Sequence, residues 1–389
     1  MQGFAQPGKS LISKPLFLSW IAQRCTVLRS RWCQSGVTVH ALGCIDLWYK
    51  HRNPFVISLS GVSTRRIIQW IGKALVGLIV ALLALAVVGA IYQAIATERA
   101  ARVYPPPGEM VDVGGHSLHI KCVGQGSPTV VLDGGSGEMS ADWVLVQREV
   151  SATTRVCAYD RAGMGWSEVG PEPRDARRIS GELHALLAEA GIEGPYVLVG
   201  HSFGGLYAQT YAARYPDKVA GVALVDSSQP DQFTHQPVAR DSYEPQKQIF
   251  AVSSLLARLG IVRLLYKLSP APPDLPRQQR GQIDALSPST RQVSTYALEL
   301  RATPQTTTQT RSLRSLGDKP LAVVTAGTQE PGWLELQDDL ATLSSNSMHR
   351  VVEGATHTSL MYDRSDAQAS SAAIVEVVAA VRNDRPLAR

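Results

Sequence analysis

The residues Gly200-His201-Ser202-Phe203-Gly204-Gly205 directly follow the apolar run Tyr196-Val197-Leu198-Val199 and directly precede a segment, Leu206 to Tyr215, that reads as a helix. Strand, tight turn and helix around G-x-S-x-G make a nucleophile elbow, a strained turn that exposes the serine hydroxyl above a sheet. Gly200 and Gly204 lack the Cβ atoms that would clash where strand and helix come close. A serine hydroxyl is a weak nucleophile and needs a base, itself oriented by an acid. In this arrangement the partners should follow the serine in the order acid, then histidine. Five of the nine histidines, His40, His51, His116, His119 and His184, precede the elbow. His201 adjoins Ser202, so the turn should aim it elsewhere; His235 falls in an insertion, and His349 begins the last strand at the wrong end. His357 remains, just past the carboxyl end of that strand in Glu353-Gly354-Ala355-Thr356-His357, and is the expected general base.

Two acids compete to orient it. Glu330 lies three residues after Gly327, in the loop beyond the penultimate strand; Asp226 ends the strand after the elbow. Glu330 is preferred because its loop position needs less distortion to meet His357, with Asp226 as the alternative. The oxyanion of an acyl-transfer intermediate needs two backbone donors. Phe203, after the nucleophile, should supply one, and Gly135, in Asp133-Gly134-Gly135-Ser136-Gly137, the other.

The elements that must position these groups read as short apolar strands alternating with helices. Met110–Val113 and Leu118–Val123 flank Gly114-Gly115 as an opening hairpin. Strands are then expected at Thr129–Leu132, Arg155–Tyr159, the elbow strand, Val219–Val225, Leu321–Thr325 and His349–Glu353, with a helix at Ile179–Ala190. Such alternation predicts a mostly parallel sheet covered on both faces, with its site at the carboxyl ends of the strands. The rhythm breaks between Asp226 and Lys319. Leucines and Val262 recur at helical spacing from Leu255 to Leu268, Ala271-Pro272-Pro273 interrupts them, and Gln292–Arg301 looks helical again. A helical cap over about residues 228–318 is the expected insertion.

Together these residues resemble the α/β-hydrolase fold family over about residues 109–383. The resemblance rests on the elbow hexapeptide, on Asp160-Arg161-Ala162-Gly163-Met164-Gly165-Trp166-Ser167, which is similar to the family's D-x-R-G-x-G-x-S turn, and on Gly354-Ala355-Thr356-His357. Two positions depart from the pattern: the family's common His-Gly after the third strand is Asp133-Gly134, and its usual Asp in the acid loop is Glu330. A serine nucleophile argues against the dehalogenases and epoxide hydrolases of this fold, which use Asp there. The resemblance implies a serine hydrolase acting on a carboxylic ester or related acyl compound. A peptidase, thioesterase or acyltransferase would use the same residues, and a non-catalytic ligand-binding member of the fold is the other class.

Ahead of this domain, Ala74 to Ile91 holds no charged or strongly polar side chain, and the uncharged stretch runs on to Thr97. That length covers a hydrocarbon core of ~30 Å at 1.5 Å per residue. A buried core helix or a cleaved signal peptide are the alternatives to a single span, the first disfavoured by the absence of a polar face and the second by a start 73 residues in. The expected organisation is a basic, disordered tail over 1–66, a transmembrane helix over 67–97, a linker over 98–108 containing Tyr104-Pro105-Pro106-Pro107-Gly108, and the hydrolase domain over 109–389. The net charge of +5 is unevenly placed: residues 1–60 carry seven Lys or Arg (Lys9, Lys14, Arg24, Arg29, Arg31, Lys50, Arg52) against Asp46 alone. That bias predicts a cytoplasmic N-terminus and an extracytoplasmic hydrolase domain. Cys122 and Cys157 lie on two expected strands and could pair there; Cys25, Cys33 and Cys44 fall in the tail.

No H-e-x-x-H, paired C-x-x-C, Walker loop or full dinucleotide fingerprint occurs, so neither a metal nor another cofactor is expected. No basic–aromatic stripe points to nucleic acid. The expected partners are a small-molecule or lipid-like acyl substrate and the bilayer; the sequence does not set an oligomeric state.

Overall fold

The computed structural model describes residues 64–268, 272, 274–330 and 332–387. The expected tail, with Cys25, Cys33 and Cys44, lies almost wholly outside these residues. By its contacts the chain divides at Val76; the described part of the first unit is the start of helix α1, and all else belongs to the second unit, from Gly77 onward.

Helix α1 (Thr64–Val103) comes first. It runs six residues past the expected end of the span. Glu98-Arg99-Ala100-Ala101-Arg102 are good helix formers, with Glu98 and Arg102 paired one turn apart at 2.9 Å, and the helix stops only before Pro105-Pro106-Pro107. The first half of the expected linker is therefore helical.

The sheet follows: β1 (Glu109–Asp112), β2 (Ser117–Val123), β3 (Val130–Asp133), α2 (Val144–Val150) after a short 3-10 turn, β4 (Val156–Tyr159), α3 (Ala176–Glu189), β5 (Tyr196–His201), α4 (Gly204–Arg214) and β6 (Val219–Val225). Between β6 and β7 the chain inserts α5 (Gln232–His235), α6 (Pro237–Arg258), α7 (Ile261–Lys267), α8 (Arg277–Leu286), α9 (Thr290–Arg301) and α10 (Thr303–Thr310). It closes with β7 (Leu321–Ala326), α11 (Trp333–Ala341), β8 (Ser347–Val352), α12 (Ser359–Tyr362) and α13 (Arg364–Asn383).

The eight strands form one sheet in the order β1-β2-β4-β3-β5-β6-β7-β8. β1 and β2 pair antiparallel, as does β2 with β4; every later pairing is parallel. Because side chains alternate along a strand, the continuous apolar runs feed two cores at once. Val130, Leu132, Val197, Val199 and Val324 pack on one face with Val146, Ile374 and Val377 of α2 and α13. Val131, Leu198, Leu224 and Val323 pack on the other with Leu183, Leu186 and Tyr211 of α3 and α4. Each such buried Val or Leu contributes about 1.5–3 kcal/mol relative to exposure, so both faces hold the strand ends rigidly in place. Cys122 stands opposite Cys157 in the β2–β4 register, and the two form a disulfide.

In the insertion, the helical spacing from Leu255 to Leu268 predicted a single run, but the structure splits it at Gly260. That residue takes a left-handed φ of 70° and turns the chain from α6 into α7.

Candidate active site

Ser202 sits between β5 and α4 with φ 52°, a left-handed conformation that non-glycine residues rarely adopt. A Cβ on Gly200 would lie 2.5 Å from Gly205 backbone atoms, and one on Gly204 2.2 Å from the Asp133 carbonyl oxygen. Only glycine lets the strand, the turn and the β3 end converge there. Strain of this kind persists where the surrounding structure over-determines it, here through the buried β5 and α4.

His357 follows β8, and its Nδ1 lies 2.5 Å from Asp226 Oδ2. Asp226 directly follows β6, also with a positive φ (40°), and is fully buried. Its Oδ1 accepts from Trp333 Nε1 at 2.9 Å and from Ala326 N–H at 3.1 Å, and its Oδ2 also accepts from Gln329 Nε2. Burial pushes the Asp226 carboxyl up, but the bond to and charge of His357, with the Trp333 and Ala326 donors, outweigh it and hold the carboxyl below its ordinary range. The preference for Glu330 over Asp226 is therefore corrected. Glu330 is exposed, and its carboxylate does not meet His357. The loop after β7 turns Gln329 and Trp333 inward onto Asp226, which leaves Glu330, between them, facing outward.

No hydrogen bond within 3.5 Å joins the Ser202 hydroxyl to His357 among the described residues. The Ser202 backbone is fixed instead, donating to the Val225 carbonyl at 3.2 Å and accepting from Ser228 N–H at 2.9 Å.

Of the two expected oxyanion donors, Phe203 N–H, at the start of α4, has no intramolecular acceptor among the described residues. Gly135 is placed beside the serine, since a Cβ there would fall 2.8 Å from Ser202 Cβ. Its N–H donates to Glu138 Oε2 at 2.5 Å. The loop is clamped from behind. Arg161 donates to the Gly134 carbonyl at 2.5 Å, the Gly135 carbonyl at 2.7 Å and Asp133 Oδ1 at 2.8 Å. In a trans peptide the N–H points opposite the C=O, so Arg161 turns the Gly135 N–H toward Glu138 and Ser202. Asp133, which stands where the resemblance led one to expect His, is held by Arg161 and by Tyr159 Oη at 2.7 Å. Burial dominates it and pushes its carboxyl up to about 6.

His201 is buried, and its Nδ1 meets Glu138 Oε1 at 2.8 Å while its Nε2 lies 3.0 Å from the His357 carbonyl oxygen. A carboxylate and a carbonyl only accept, so the ring satisfies both by donating from both nitrogens, as an imidazolium. Burial opposes that charge, but the Glu138 carboxylate outweighs it and raises the His201 pKa. Sequence reasoning missed Glu138, Arg161, Gln329 and Trp333. The one available signal was Glu138 as an acid closing the glycine-rich loop expected to face the serine. Among the described residues, no group of three or more His, Cys, Asp or Glu is arranged to hold a metal ion.

Comparison with known proteins finds relatives of the same fold. The human (lyso)-N-acylphosphatidylethanolamine lipase is 30% identical over 159 residues, 40% of this chain and 45% of that protein. A thermophilic esterase from Thermogutta terrifontis shares the fold with a TM-score of 0.54 at 22% identity, over 70% of this chain and 98% of its own. A putative epoxide hydrolase variant from Pseudomonas aeruginosa does so with a TM-score of 0.59 at 16% identity, over 72% and 98%. The chain spans between 20% and 52% of the length of the first curated relatives it matches. The alpha/beta hydrolase family model matches residues 130–371, more than half the chain. That span opens at β3, runs through the elbow and Asp226, and passes His357 into α13, and on it the chain belongs to the alpha/beta hydrolase family.

Proposed function

We propose that this hydrolase is a membrane-anchored serine enzyme that cleaves a carboxylic ester or related acyl substrate through Ser202, His357 and Asp226. The observation that carries the reading is the 2.5 Å contact between His357 Nδ1 and Asp226 Oδ2, beside a serine held at positive φ. Asp226 accepts the Nδ1 proton, which fixes the tautomer and leaves the Nε2 lone pair as base. As Ser202 Oγ attacks the acyl carbon, its proton passes to Nε2, and Asp226 stabilises the imidazolium. The oxyanion takes the Phe203 N–H, joined by the Gly135 N–H once Glu138 gives way. Collapse expels the alcohol, which takes the proton back from Nε2. Water then gives a proton to Nε2, attacks the acyl-enzyme and releases the acid, restoring Ser202.

Helix α1 supports the anchor: its most apolar 18-residue window has a mean hydropathy of 2.9, and none of that window is buried. The basic residues before it favour a cytoplasmic N-terminus, and a disulfide on β2 and β4 suits an oxidising compartment for the domain. A fluorophosphonate probe tests the chemistry: the wild-type chain should label, and Ser202→Ala should lose both label and esterase turnover by ~10⁴–10⁶ in kcat. Turnover of p-nitrophenyl esters within about tenfold of wild type would defeat the triad.

A further inference from the structure

The exposed apolar surface of the insertion gathers at one place. Ile249, Val252 and Leu255 on α6, Leu264 and Leu265 on α7, and Leu268 just past its end are all solvent-exposed; Leu268 is 80% exposed. The two helices meet at 99°, so their apolar faces form a projecting corner rather than a flat wall. Contiguous apolar surface of this kind marks a binding face. From Glu244 to Asp274 no Asp or Glu intervenes, while Arg258 and Lys267 stand exposed beside the corner.

The position of this corner along α1 names its occupant. A Cβ on Gly89 would lie 2.3 Å from the Leu259 carbonyl oxygen, and one on Gly260 2.9 Å from Tyr92 Cδ1, so helix and corner touch backbone to backbone. Gln93 secures the contact, accepting from Arg263 Nε at 2.9 Å and donating to the Pro288 carbonyl at 3.2 Å. A hydrocarbon core takes about 20 helical residues. Ala74 to Thr97 is the charge-free stretch, and every window of about that length within it contains Gly89. Whatever packs on Gly89 is at bilayer depth.

We infer that the α6–α7 corner is immersed in the leaflet on the hydrolase side, with Arg258 and Lys267 reaching lipid phosphates. This rests on the membrane-anchor reading of α1. It also narrows the substrate. Phe203, next to the nucleophile, meets Phe233 of α5 with ring centroids 6.4 Å apart, and Phe233 meets Tyr243 of α6 at 5.4 Å. One helix thus runs from an aromatic cluster above Ser202 to the immersed corner, which suits an acyl lipid drawn from that leaflet.

Depth-dependent quenching tests it. The full-length chain, with Cys25, Cys33 and Cys44 changed to serine, is placed in phosphatidylcholine/phosphatidylglycerol nanodiscs with lipids nitroxide-labelled on the acyl chain. An environment-sensitive fluorophore is attached singly at Leu255→Cys, Leu264→Cys, Leu85→Cys in the span and Leu334→Cys on α11. All four sites are exposed, so the label disturbs little packing. An interfacial face buried ~5–10 Å should be quenched at least about threefold at Leu255 and Leu264, as at Leu85, while Leu334 stays bright. Quenching at Leu85 alone would overturn the immersion and leave the anchor standing. No quenching at Leu85 would remove the anchor and the inference with it. Bright labels at Leu255 and Leu264 whose emission shifts with the number of chains per disc would put a second copy on the corner and overturn the leaflet.

Discussion

Asp226 takes a bond from each of four groups, and its carboxylate can serve His357 only because Trp333, Gln329 and the Ala326 N–H hold it in place. Asp226→Asn should therefore cost ~10³–10⁴ in kcat, by presenting an amide where a proton acceptor is needed, while the exposed Glu330→Gln should stay within about twofold. Steady-state kinetics on one soluble ester compares the two, and the reverse order would restore Glu330. The Glu138–His201 pair makes a different forecast. Burial pushes the Glu138 carboxyl up, but His201 and the Gly135 N–H outweigh it and hold it below its ordinary 4.5. His201 is raised above its ordinary 6.5. A depressed acid contributes stability above its unfolded pKa and loses it as pH falls through the folded value; a raised base contributes below its unfolded pKa and loses it as pH rises through the folded one. The gap in thermal midpoint between wild type and Glu138→Gln should then be widest between pH 4.5 and 6.5 and narrow on both sides. A gap that stays flat across pH, followed by scanning fluorimetry, would mean the pair is not ionised.

At the scale of elements, Arg161 ties three parts together. It clamps the loop after β3, meets Glu299 of α9 through Nε at 2.9 Å, and lies over the Tyr207 ring of α4 at 4.9 Å. Arg161→Met removes the partner of two buried carboxylates, Asp133 and Glu299, and should destabilise the fold by ~3–5 kcal/mol in a urea titration. A loss under about 1 kcal/mol would show that water or a rearranged loop replaces the guanidinium. The strands were legible because runs such as Val130-Val131-Leu132 fill both faces of a parallel sheet, and the elbow because its glycines sit where backbones touch. His357, the proposed base, was legible too, since only one histidine falls just past the last strand. The acid was not. Whether Asp226 or Glu330 turns toward His357 depends on a positive φ at Asp226 and on Trp333 folding inward, neither of which local sequence encodes. Glu138 escaped for a related reason: its charged partner, His201, is brought to it by the parallel pairing of β3 with β5 rather than by a neighbouring position in the chain.

For the whole molecule, topology would join the proposed anchor to the chemistry. Alkaline phosphatase fused after Arg389 should be active, and a fluorescent protein that matures only in the cytoplasm should be dark in its place. A bright cytoplasmic reporter would reverse the orientation and remove the compartmental reason for the Cys122–Cys157 bond. The sequence predicted a domain tied near the membrane by its proline linker. The close packing of Gly89 on Leu259 makes α1 a strut instead of a leash. On the membrane anchor proposed above, a body braced in this way would keep one face down while it diffused sideways, so its search for substrate would have two dimensions rather than three. Every copy in the same sheet of lipid would then meet the substrate from the same side. A Gly89→Leu change, by prising the strut from the corner, would return the enzyme to tumbling while leaving Ser202 untouched.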